Sequence, residues 1–146
     1  MIAQTIQLAL APVFVLVAIG NFMNILTGRL ARIVDRSRHL QGRHTDTKGP
    51  DHDEVVRELR SVDRRIKLVN RAILMLVLAA LVIGLTVGLL FIEGMSQMNL
   101  EWAVKITFFM AIALLMFALL TFLRETRIAT ADLRIPDTYL ELERTL

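Results

Sequence analysis

Three apolar runs, at residues 8–26, 72–92 and 102–123, stand out from a chain that is otherwise rich in charge. Each is close to the ~20 apolar residues that a helix needs to cross a hydrocarbon core about 30 Å thick; a strand would need about half that length. None alternates with period two. Helices, which satisfy their own backbone groups, are therefore the form predicted in lipid. The expected fold class is all-α: an integral membrane protein with three transmembrane helices at about 7–28, 72–92 and 102–123, in one membrane domain covering 1–146.

The helical pattern continues past the apolar runs. Leu26, Leu30, Ile33, Ser37 and Leu40 are spaced four, three, four and three apart, as in a packed helical seam. Val55, Leu59, Val62, Ile66, Val69 and Ile73 repeat that spacing and lead into the second run. Between the two seams, residues 41–50 are rich in Gly, Thr, His and Asp and read as a break. Pro50 followed by Asp51, Asp53 and Glu54 suits a helix start, because proline is tolerated in the first turn and acids complement the helix dipole. The first two helices are thus expected to extend into a cytoplasmic antiparallel helical hairpin over about 29–71. The second would run unbroken over 51–92, on the order of 60 Å at 1.5 Å per residue. A tight outer turn at 93–100 leaves no room for a domain. The third helix is expected to continue through Arg124 and end near Pro136. The remainder of the cytoplasmic segment 124–146 would be a short tail carrying Tyr139, Leu140 and Leu142.

Composition agrees with a membrane setting: 55% of the 146 residues are hydrophobic and the mean hydropathy is +0.55, above the roughly 45–50% apolar content of ordinary soluble domains. Charge supplies the orientation. Twelve of the 17 Lys and Arg residues fall between Arg29 and Arg71 and four follow the third run, leaving Lys105 alone near the other side. The positive-inside rule then puts the N-terminus outside and the long loop and C-terminus in the cytoplasm. The pI of ≈ 9.9 is read as this topology signal, and no nucleic-acid partner is expected. The first run is expected to be a retained helix instead of a removable signal peptide, since Met1 to Gln7 carry no basic residue. The chain has no cysteine, so disulfides, thiolate catalysis and cysteine metal sites are excluded.

At 100° per residue, Gln7, Leu10, Phe14, Val17, Asn21, Asn24, Gly28, Arg32 and Asp35 share one face of the first helix. Amides in lipid are costly unless they meet a partner or water. Two readings stay open. The face can line a pore in a homo-oligomer, with an apolar constriction beside amide and charged rings, or its amides can be packing bonds between helices. Gly84 and Gly88 form a Gly-xxx-Gly pair expected to serve helix packing within or between chains. Arg29, Arg32, Arg36, Lys67 and Arg71 cluster at the cytoplasmic ends of the spans, with Asp35 and Asp63 in register to pair with them. They read as anchors and salt bridges across the hairpin, or as a site for anionic headgroups.

The remaining polar residues are weaker signals. His39, His44 and His52 crowd the expected turn together with Asp46, Asp51 and Asp53, but their spacing matches no closed metal template, and no metal or cofactor is expected. Glu93 and Glu101 flank the outer turn: singly they are solvated loop acids and helix-start residues, and in a ring of subunits they would concentrate cations at an entrance. No nucleophile has a base at a helical offset, and no phosphate loop or zinc helix is present, so an enzyme is not expected. The expected partners are membrane lipids, further copies of the chain and, on the pore reading, ions. The alternative is a scaffold or accessory subunit that binds a protein partner through the hairpin.

The run Ala11-Pro12-Val13-Phe14, the segment Asn24-Ile25-Leu26-Thr27-Gly28-Arg29-Leu30-Ala31-Arg32-Ile33-Val34-Asp35-Arg36, and Leu68-Val69-Asn70-Arg71-Ala72-Ile73 together resemble a family of small bacterial membrane proteins catalogued as domain of unknown function 2721. The resemblance spans the first helix through the third. It implies a bacterial three-helix inner-membrane protein and brings no activity or catalytic residue with it.

Overall fold

The computed structural model describes residues 2–96 and 98–132. These form three α-helices: α1 (Ile2–Asp46), α2 (Pro50–Ser96) and α3 (Glu101–Asp132). Each is long and apolar enough to cross a membrane, and the chain has the build of a multi-pass membrane protein. The expected end of the third helix near Pro136 and the tail beyond it lie outside the described residues.

α1 and α2 pack along a strict seven-residue repeat. Pro12, Ile19, Leu26, Ile33 and Leu40 are buried on α1, and Val55, Val62, Val69, Leu76, Ile83 and Leu90 on α2. A repeat of seven keeps one stripe of a slightly underwound helix turned toward its neighbour over many turns. Both seams expected from the sequence are therefore present, their buried members alternating with half-buried Leu30, Ser37, Leu59, Ile66 and Ile73. Arg36 late in α1 meets Glu58 early in α2, while Thr5 at the start of α1 lies against Gly94 near the end of α2. A Cβ at Gly94 would come within 2.8 Å of Thr5 Oγ1, so glycine permits this close approach.

α3 also packs along α2, and it reaches α1 where Arg29 meets Phe122 and Glu125. Ala72, Ala79, Ala111 and Ala118 are fully or almost fully buried, and small side chains let two backbones approach where lipid supplies no hydrophobic drive. Thr86 Oγ1 lies 2.9 Å from Thr107 Oγ1, and each hydroxyl is also within bonding distance of a carbonyl one turn back, Val82 and Ala103, so neither is left bare in the apolar interior. Outward, the three helices leave large side chains such as Phe14, Leu81, Phe109 and Phe117 exposed. That apolar surface is far larger than a water-soluble monomer tolerates.

The break expected over 41–50 is much shorter than the composition suggests, because α1 continues through Gly42 to Asp46. Gly42 costs the helix about 1 kcal/mol relative to alanine, but Leu40 is fully buried just before it. Thr45 Oγ1 and Thr47 Oγ1 then donate to the Gly42 and Arg43 carbonyls at 2.7 and 2.9 Å and close the helix end. The reversal falls at Gly49, whose φ of 69° is in the left-handed region that glycine enters without strain. Its carbonyl accepts from His52 N at 3.1 Å as Pro50 opens α2. At the other turn α2 runs through Ser96, past the expected boundary at 93, and Asn99 Oδ1 accepts from Glu101 N at 3.4 Å at the start of α3.

Candidate functional site

Every residue of the polar face of α1 is exposed. Gln7, Leu10, Phe14, Val17, Asn21, Asn24, Gly28, Arg32 and Asp35 all lie off the contact with α2, with Phe14 at 69% and Val17 at 58%. Seven of these positions, from Gln7 through Gly28, are spaced three, four, three, four, three and four apart, the same spacing as the inner seam. At 100° per residue the two seams are about 160° apart on the helix. α1 thus carries two opposed stripes of the same spacing, and the described residues cover one of them. Asn21 and Asn24 make no side-chain hydrogen bond among the described residues, although they sit within the apolar first run. Thr27, their neighbour, returns its hydroxyl to the Met23 carbonyl at 2.9 Å.

Where the apolar runs end, the three helices are tied by one carboxylate. Glu125 on α3 is fully buried. Arg65 Nε on α2 donates to its Oε1 at 3.0 Å, and Arg29 Nε on α1 lies 2.8 Å from its Oε2. The second contact is a charge attraction without an aligned N–H, since Oε2 has no hydrogen-bond donor. The Arg29 guanidinium also lies 5.3 Å over the Phe122 ring, a cation–π contact from α1 to α3. A buried carboxylate needs such partners, because the cost of leaving water exceeds what one imperfect pair returns.

Sequence reasoning names Arg29 but misses Glu125 and Arg65. The signal was present: Ala111, Ala118 and Glu125 are seven apart, so the inward stripe of α3 places an acid where a small apolar residue is expected. Arg29, Arg36, Arg57 and Arg65 line a cleft of ≈ 710 Å³ with Glu54, Glu58 and Ser61, and an adjoining cleft of ≈ 290 Å³ adds Arg32. Arg36 Nε donates to Glu58 Oε1 at 2.8 Å across α1 and α2. Asp63 pairs with Lys67 one turn along its own helix, whereas Asp35 makes no ion pair among the described residues.

The other candidates lie apart from this junction. Gly84 and Gly88 are on the exposed face of α2, where an added Cβ would meet nothing within 4 Å, so among the described residues no helix crosses there. The His44 and His52 rings meet tilted at 54°, with centroids 4.4 Å apart, at the Gly49 turn. Among the described residues no three His, Asp or Glu side chains converge as a metal set. Glu101 pairs with Lys105 on α3, and Glu93 is half-buried on α2 beside Thr5 and Gly94.

No curated protein and no solved structure matches the chain. A family model, described as a protein of unknown function (DUF2721), matches residues 9–135 and so takes in all three helices and the Arg29–Glu125–Arg65 junction. By that match, over most of its length, the chain belongs to the DUF2721 family.

Proposed function

We propose that the chain acts as a homo-oligomer in the bacterial inner membrane, in which the outer faces of α1 from neighbouring copies meet around a path for ions. The observation that carries this reading is the second seam on α1, fully exposed and polar inside an apolar span. Asn21 and Asn24 need hydrogen-bond partners, and in lipid only another protein surface or water supplies them. A path bounded by this face would be narrowed by Phe14 and Val17, ringed by amides at Asn21 and Asn24, widened at Gly28, and flanked at its mouth by Arg32 and Asp35. Apolar constrictions beside polar rings are recognised gating elements.

In this reading the N-terminus is outside. The parts of α1 and α2 beyond the spans form a cytoplasmic antiparallel hairpin, as the concentration of Lys and Arg there favours. Membrane lipid covers the remaining apolar surface, and no catalysis is involved. Ion flux through the purified protein in liposomes tests the reading. Wild-type protein is expected to conduct and Asn24→Leu to lose conduction while its assembly persists. A variant that conducts normally removes Asn24 from the path.

A second reading is a non-conducting scaffold that binds a protein partner through the hairpin. It is favoured by Arg57, Arg60 and Arg64, which are exposed on α2 and make no ion pair among the described residues. An oligomer that stays silent under all ions, pH values and voltages would favour it.

A further inference from the structure

The two clefts beside Glu125 share Arg29, Arg36 and Arg65 in their walls, with Arg57 completing the larger and Arg32 the smaller. Five guanidinium groups thus converge against three carboxylates: Glu54 and Glu58 in the wall and Glu125 beneath it. Glu125 divides one negative charge between Arg29 and Arg65, and Glu58 neutralises Arg36. Arg32 and Arg57 make no ion pair among the described residues, and the balance of the group is positive.

The way Glu125 holds its partners also matters. It engages both arginines at Nε, and the Nη groups of Arg29 and Arg65 make no hydrogen bond among the described residues. The buried acid therefore fixes two guanidinium groups in advance and leaves donors over, which lowers the ordering cost of binding. Paired donors of this kind match the oxygens of a phosphate group. Depth narrows the ligand further: Arg29 lies three residues beyond the first apolar run, Arg65 seven before the second, and Glu125 two beyond the third. That is the level of lipid headgroups when the three runs span the membrane.

We infer that this cleft binds a phosphate-bearing anion at headgroup depth. The chemistry is shared by the headgroup of an acidic phospholipid and by a soluble phosphate, and the experiment separates the two. The detergent-solubilised full chain is titrated with dihexanoyl phosphatidylglycerol, with zwitterionic dihexanoyl phosphatidylcholine, and with inorganic phosphate, and the thermal unfolding midpoint is read. A saturable rise with phosphatidylglycerol that phosphatidylcholine does not produce supports the site and assigns it to lipid. A rise with inorganic phosphate that phosphatidylglycerol does not exceed supports the site and assigns it to a soluble ligand.

Arg57→Gln is the decisive variant, because Arg57 is exposed, carries no ion pair and lies off α1, so neither the fold nor the conduit reading depends on it. It is expected to weaken the apparent affinity about tenfold, the cost of one charge-assisted contact. Arg60→Gln, on the same helix but outside the cleft, is expected to stay within about twofold. No saturable response to either anion overturns the proposal, as does an equal loss in Arg57→Gln and Arg60→Gln, which would mark a merely positive surface.

Discussion

The two faces of α1 follow the same spacing and meet opposite fates. Pro12, Ile19, Leu26, Ile33 and Leu40 are buried, whereas Gln7, Leu10, Phe14, Val17, Asn21, Asn24 and Gly28, on the opposite side of the helix, are exposed. The inner face is apolar along the membrane span, so there its position is held by shape and by the polar tie at Arg29 more than by escape from water. The outer face has amides where the inner face has isoleucine and leucine. Side chains that need partners, set at the spacing of a packed seam, are the basis of the proposal that another copy completes this surface.

The largest expected effect breaks the inner face where water begins. Leu40 is fully buried beyond the apolar run, and Leu40→Ala should cost about 3 kcal/mol, whereas Val17→Ala on the outer face should leave monomer stability within about 0.5 kcal/mol. Denaturant unfolding in detergent compares the two, and similar losses would erase the distinction between the faces. Next in size is Glu125→Gln, which keeps the shape of the junction but leaves Arg29 and Arg65 without a counter-charge. With those side chains 26% and 21% exposed, water offsets part of the penalty, and about 2 kcal/mol is expected. The same variant should loosen α1 against α3, seen as faster amide exchange near Arg29. The smallest effect sharpens the comparison. Gly28→Ala meets open space in the monomer and should stabilise it by up to about 1 kcal/mol through helix propensity, while lowering the oligomer fraction on native gels.

Much of this was legible in the sequence. Length and hydropathy gave the three helices, and spacing gave both the inner seam and the outer polar face of α1. The helix end at Asp46 was not, because Gly42 and the threonines read as loop formers until burial of Leu40 and the back-bonded hydroxyls of Thr45 and Thr47 decide locally. Glu125 was missed for a related reason. Composition marks it as a surface acid past a span, and only the register of Ala111 and Ala118 turns it inward toward two arginines that are 36 residues apart in the chain but adjacent in space. Gly84 and Gly88 were legible as a motif, but no sequence rule says whether such a pair faces a helix of its own chain.

The most direct test of the outer face as a contact between copies uses the absence of native cysteine. Single cysteines are placed at Val17, Asn21 or Asn24 on that face, and at Phe109 or Phe117 on the exposed side of α3, and membranes are treated with a mild oxidant or a short bismaleimide before denaturing electrophoresis. Crosslinked dimers are expected from the three α1 positions and monomers from the two α3 positions. Monomers at all three α1 positions, or crosslinking no stronger there than on α3, would contradict it.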